Sequence, residues 1–231
     1  MEKIIDRFER VINKSVRELT ENDLIEILQD ENYHDFFKDP DEVLILLKEI
    51  FKLNKDAVVR RQISLTIYSI ELVKSEATLD ATFNSYSNDE ITRETLESTV
   101  KEFISSDDTL LSLIAVSCAL LSLENINLSE YEEKIKDDFN CLKEIFNSIG
   151  NTNDSYLTKT TLLNYIFQIR EEYYIKYSVD LLDNLDWIED QLKEIHNFED
   201  EYLRKNIPTS VDITPEQLGY IDITKLKDKG D

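Results

Sequence analysis

Apolar residues return every three or four positions from the first turn of the chain onward. Ile4, Ile5, Phe8, Val11, Ile12 and Val16 fall on one helical face, and Thr20 stands where it would cap a second, short helix carrying Leu24, Ile27 and Leu28. Asp39-Pro40-Asp41-Glu42 combines a capping side chain, a proline at the first helical position and an acidic first turn, which predicts a helix over 43–53 ended by Asn54. Val59, Ile63, Ile67, Ile70 and Val73 make an apolar stripe over 56–74. The Ser- and Thr-rich stretch 75–88 reads as a short helix flanked by loops. Leu96, Val100, Phe103 and Ile104 restore the helical period over 91–104, and Ser106-Asp107-Asp108 caps the segment that follows.

That segment, 109–123 (TLLSLIAVSCALLSL), carries no charge between Asp108 and Glu124. At about 1.5 Å per residue it extends roughly 22 Å, short of the ~30 Å hydrocarbon core of a bilayer. A helix apolar on nearly every side must be covered on most of them, so 109–123 is expected at the centre of the molecule. Ser129-Glu130-Tyr131-Glu132 has the spacing of a capping box, opening a helix through Ile149 that Gly150 closes as a left-handed cap. Two more helices are expected over 156–177 and 179–200. Beyond them Pro208 and Pro215 punctuate an irregular C-terminal arm, 207–231, with short extended pieces at 211–213 and 220–223.

Three glycines and three prolines in 231 residues lie far below the usual ~7% and ~5%, and hairpins need such residues at every turn. The chain is therefore expected to be all-α, a multi-helix bundle or an irregular HEAT-like stack of helical hairpins, with one helical domain over 1–206 and the arm over 207–231. The stack enters through spacing alone: helices begin near 41 and 56, 92 and 109, and 130 and 156, close to the roughly 40–47-residue period of such repeats. With 41% hydrophobic residues the chain has the material for a core.

Chemistry is sparse. Gly150, Gly219 and Gly230 are the only glycines, so no Gly-rich phosphate loop can be written. Cys118 and Cys141 are too few for a disulfide framework and read as reduced core thiols. His34 sits in Glu31-Asn32-Tyr33-His34, one Glu-x-x-His pair where a di-iron bundle needs two. The loop 151–155 resembles a calcium ligand series but has neither the sixth-position Gly nor the twelfth-position Glu. No catalytic residue, metal or cofactor is nominated, and the chain is not expected to be an enzyme. Charges in Met1-Glu2-Lys3-Ile4-Ile5-Asp6-Arg7 stand where a signal peptide needs apolar residues, so a cytoplasmic location is expected.

The charge balance says more. Twenty-six Lys and Arg face 49 Asp and Glu, a net charge of −23, which disfavours nucleic acid and anionic membranes and favours a basic protein partner. Over 180–201 nine acids stand against Lys193 alone, a net of −8. Projected on a helix, Leu181, Leu185, Ile188, Leu192 and Ile195 face the core while the acids fall opposite, and the single tryptophan, Trp187, falls with them. Asp180, Asp183, Asp186, Trp187, Asp190 and Glu194 are therefore the candidate partner-binding residues, an aromatic anchor among steering charges. The tyrosines at 165, 173, 174 and 177 extend this patch only if exposed. The expected function is an acidic protein-binding inhibitor, of the immunity type, that neutralises a basic-surfaced toxin or nucleic-acid-handling enzyme by occupying its positive site. The alternatives are a helical scaffold or regulatory subunit holding a peptide in a HEAT-like groove, and a phage-encoded inhibitor of a host defence enzyme.

Overall fold

A computed structural model describes residues 3–29, 39–150, 155–181, 187–188 and 190–195. Helices appear where apolar spacing and capping side chains coincide: α1 (Ile4–Ile12), α2 (Glu21–Gln29), α3 (Pro40–Leu53), α4 (Ala57–Ser87), α5 (Arg93–Ile104), α6 (Thr109–Ser122), α7 (Glu132–Ile149) and α8 (Ser155–Tyr177). Short 3-10 turns occupy Val16–Glu18 and Leu128–Tyr131, and no strand occurs among the described residues, so the chain is all-α. Four helices start on a side chain that accepts from the orphan amides of the first turn: Asp39 on α3, Asp56 on α4, Thr92 on α5 and Asp108 on α6. Thr20 caps α2 reciprocally, accepting from the Asp23 amide at 3.3 Å while Asp23 Oδ2 accepts from the Thr20 amide at 2.7 Å.

Three boundaries differ from expectation, each for a local reason. The Ser- and Thr-rich stretch 75–88 continues α4 in one 31-residue helix. The hydroxyls of Thr78, Thr82 and Ser87 bond to carbonyls four residues back, and Leu72, Ser75 and Leu79 are buried, so packing overrides weak propensity. Ser129 does not open α7: Asn127 Oδ1 accepts from the Ser129 hydroxyl at 2.8 Å, a 3-10 turn intervenes, and the Glu132 carboxylate turns forward to Lys136 at 2.6 Å. Residues 179–181 are not helical, because Ser178 takes a positive φ of 57° and ends α8.

The expected central helix is confirmed. α6 is buried at Leu110, Ser112–Ser117 and Ala119 and packs on α4, α5, α7 and α8. Pairs α3/α4 and α5/α6 pack as hairpins, but α4 also touches α7 and α8 of the last pair. In a solenoid each repeat meets only its neighbours; here the long α4 and the buried α6 gather the others around them, which makes a bundle. A second apolar cluster joins Phe8, Val16, Leu19 and Leu24 to the inner faces of α3 and α4. Asn54 ties it shut: its buried Nδ2 donates to the Val16 and Leu19 carbonyls at 2.8 and 3.0 Å, and its Oδ1 accepts from the Asp56 amide at 2.8 Å.

Gly150 ends α7 at φ 65°, ψ −166°, a conformation open to glycine alone. A Cβ built there would lie 2.6 Å from both Cδ and Nε of Arg61, an exposed side chain of α4 that would have to swing aside, so the backbone conformation is what demands glycine. The chain's contacts divide it into two units, 1–191 and 192–231. Of the second, residues 192–195 are described and helical, while the arm at 207–231 lies outside the described residues. No described helix is long and apolar enough to cross a membrane.

Candidate functional site

The six nominated residues meet different fates. Asp180 is gripped by Arg170 of α8, with Nε to Oδ1 at 2.9 Å and Nη2 to Oδ2 at 2.6 Å, a two-pronged pair that spends its charge inside the molecule. The same contact pushes the Arg170 guanidinium pKa up. Asp183 and Asp186 lie outside the described residues. Trp187 is half-buried, its ring meeting Phe146 of α7 edge-on with centroids 5.4 Å apart. Lys159 of α8, itself buried, comes to 5.6 Å from the same Phe146 ring and donates to Gln191 Oε1 at 2.8 Å, so Trp187 and Gln191 are both held against α7 and α8. Asp190 and Glu194 are exposed, and Glu194 belongs to the second unit.

The helical projection that grouped these residues assumed one continuous helix from 179. With 179–181 non-helical, Leu181 and Trp187 share no axis. Leu181 and Ile188 are nevertheless buried as expected, whereas Leu192 is 40% exposed. The tyrosines also separate: Tyr173 is fully buried, Tyr174 is 58% exposed, and Tyr177 accepts from the Leu128 amide at 2.8 Å. Cys118 is half-buried, with burial pushing its thiol pKa up, but Cys141 is exposed and not a core thiol. It sits on the side of α7 away from Ile135, Phe139, Leu142 and Phe146. His34 and the loop at 151–154 lie outside the described residues.

The structure points to a different concentration of charge. Between residues 75 and 133 stand 13 carboxylates and two cations, Arg93 and Lys101, a net of −11 within 59 residues. These residues form the second half of α4, α5, α6, the 3-10 turn at Leu128–Tyr131 and the first two residues of α7; α4, α5 and α6 pack on one another. Arg93 is committed to Glu97 at 2.9 Å. Asp80, Asp89, Glu90, Glu94, Glu102, Asp107 and Glu124 are all exposed. Counting acids along the sequence overlooks this region because its acids are well spaced. The signal is the missing cation: no Lys or Arg occurs between Lys74 and Arg93, or between Lys101 and Lys134. An excess of exposed carboxylates raises a negative field beyond the surface, attracting cationic groups and repelling phosphates.

A cavity of about 620 Å³ opens among α1, α2, α3 and α4, lined chiefly by Phe8, Leu24, Ile27, Leu47, Ile63 and Val73. Three of its polar side chains are turned to other partners: Thr66 donates to the Gln62 backbone carbonyl, Ser69 shares a hydrogen bond with Thr158, and Lys74 pairs with Asp41. With the Gln62 side chain as the remaining polar group on its wall, the cavity suits mainly apolar groups. Among the described residues no three His, Cys, Asp or Glu side chains are grouped to hold a metal ion.

No family model, curated protein or solved structure matches the chain. What the described residues define is a class: an all-α bundle that carries a strongly acidic stretch over 75–133 and an apolar cavity among its first four helices.

Proposed function

We propose that the chain is an acidic protein-binding inhibitor of the immunity type, which neutralises a basic-surfaced toxin or nucleic-acid-handling enzyme by covering its positive site. The observation that carries this reading is the acidic flank, the stretch 75–133 with its net charge of −11 and its mostly exposed carboxylates. Even with every Lys and Arg of the chain paired one to one, 23 carboxylates have no cation of their own. Such a surplus costs stability through self-repulsion and favours rapid, oriented association with a positive surface. Asp190 and Trp187 contribute at the margin, since the indole is partly covered by Phe146 and a half-buried ring offers only one edge to a partner.

The test starts from the immobilised chain in cell extract at about 50 mM salt, with bound protein released by a salt gradient and then purified. Its affinity and its enzymatic activity are measured against the wild-type chain and against a variant carrying Asp89→Asn, Glu90→Gln, Glu94→Gln and Glu102→Gln. All four positions are exposed and bear no core load. The reading expects a basic partner whose activity falls in the complex and whose affinity drops about tenfold or more in the variant. A partner that keeps full activity when bound, or that binds the variant equally well, refutes it.

A second reading draws on the cavity: a helical scaffold holding an apolar peptide segment between α2, α3 and α4. Filling the cavity with Ile63→Trp would then abolish binding, while the four-fold charge variant would bind normally and with little dependence on salt.

A further inference from the structure

Asp138 is the one fully buried carboxylate among the described residues, and it sits where three helices meet. Ser112 Oγ of α6 lies 2.7 Å from Asp138 Oδ2 of α7 and 2.8 Å from the carbonyl oxygen of Ile104, the last residue of α5. Lys134, one turn earlier on α7, places Nζ 2.7 Å from each carboxylate oxygen and 3.4 Å from the serine hydroxyl. The Ile104 carbonyl is at the end of its helix, where backbone acceptors have lost their intrahelical donors, so it depends on Ser112.

The hydrogens do not suffice for these contacts. A hydroxyl carries one proton, and here it faces two acceptors at hydrogen-bond distance. If Asp138 is ionised, Ser112 donates either to the carboxylate or to Ile104. The first choice strands a buried carbonyl; the second presses two oxygens together at 2.7 Å with no hydrogen between them. One further proton completes the chain: Asp138 donates to Ser112, and Ser112 donates to Ile104.

We infer that Asp138, Ser112 and the Ile104 carbonyl form a proton-gated latch on the corner between α5 and α6, closed when Asp138 carries a proton and released when it ionises. The charged groups around it are few. Lys134 favours the ionised form and keeps the latch from staying closed at all pH. Asp137, its neighbour on α7, opposes ionisation. Lys101 and Glu102 on the last turn of α5 are exposed, as is Asp108 at the start of α6, and the rest of α6 carries no Asp, Glu, Lys or Arg. Burial outweighs the lysine, and the carboxyl is held above its ordinary value of 3.8. With the folded-state value raised, this contribution to stability is full below pH 3.8 and is lost as pH rises through the folded-state value. The corner it controls carries Glu102, Asp107 and Asp108, one end of the acidic flank.

The experiment is a carbon-detected NMR titration of the labelled full chain, with the Asp138 carboxyl assigned in the wild type by through-bond correlation to its own Cβ and backbone, alongside amide-exchange protection at 103–106. In the wild-type chain protection should fall about tenfold as the Asp138 carboxyl titrates, the worth of one hydrogen bond. Asp138→Asn supplies a permanent donor to Ser112 and should hold protection high at every pH. Ser112→Ala should hold it low at every pH. A carboxyl that titrates at or below 3.8, or wild-type protection with no step at that titration, overturns the inference. Both readouts come from the wild-type chain, so they decide the matter even where a variant fails to fold.

Discussion

Replacing Asn54 with Ala removes three hydrogen bonds at one point. Its amide nitrogen serves the Val16 and Leu19 carbonyls, its oxygen serves the Asp56 amide, and the side chain is fully buried. Alanine leaves two buried carbonyls without a donor, and each stranded buried group costs about 1–3 kcal/mol. The Asp56 amide is nearer solvent and adds less. The expected loss is about 3 kcal/mol, on the order of 1 M in urea midpoint for a chain of this size. Asn54→Asp should cost more, because it keeps the acceptor for Asp56, loses both donors and buries a charge. Urea unfolding followed by circular dichroism measures both, with exposed Asn88→Ala as the control. A loss under about 0.5 kcal/mol for Asn54→Ala, or an aspartate milder than the alanine, would refute the claim that this side chain ties the turn at 16–19 to the junction of α3 and α4.

Gly150→Ala should destabilise by about 2 kcal/mol, since it strains a backbone of positive φ, and a melting temperature equal to wild type would contradict the geometry. Trp187→Ala should cost about 2 kcal/mol, less than the full burial value because the ring is half-covered, and an unchanged stability would mean that the indole serves a partner and not Phe146. Lys14 and the Thr20 hydroxyl hold the Asp23 carboxyl down at about 2, so its contribution is present above the ordinary value of 3.8 and disappears as pH falls towards 2. Asp23→Asn should remove that acid-side loss in a stability-against-pH series, and an identical profile for the two proteins would show that Asp23 is not its source. The fully buried Tyr173, beside Glu132, has its phenol pushed up to about 12, so absorbance titration should show a late-ionising tyrosine that Tyr173→Phe removes.

Much of the architecture could be read along the chain because local forces set it. Caps at Asp39 and Asp108 are decided within four residues by orphan amides that need an acceptor, and the uncharged 109–123 stretch has nowhere to go but inside. Local rules misled where a distant partner intervened. The hydroxyl-rich end of α4 became helix because its Leu79 face found a core, and Asn127 claimed Ser129 before Ser129 could cap α7. The candidate site shows the same division. Asp180 counted as a free negative charge until α8 brought Arg170 to it, and Trp187 counted as an outward anchor until α7 set Phe146 against it.

Composition and the spacing of apolar residues settled the helical class and the size of the charge surplus, because these depend on which residues are present and in what order. Folding decided where that surplus is felt. The acids of 75–133 are carried on α4, α5 and the connections around α6, which are neighbours only once those helices pack, and the proton shortage at Ser112 exists only once three helices converge on it. Electrostatic and hydrogen-bonding energies follow distance in space, and a linear chain does not contain that distance until it is folded.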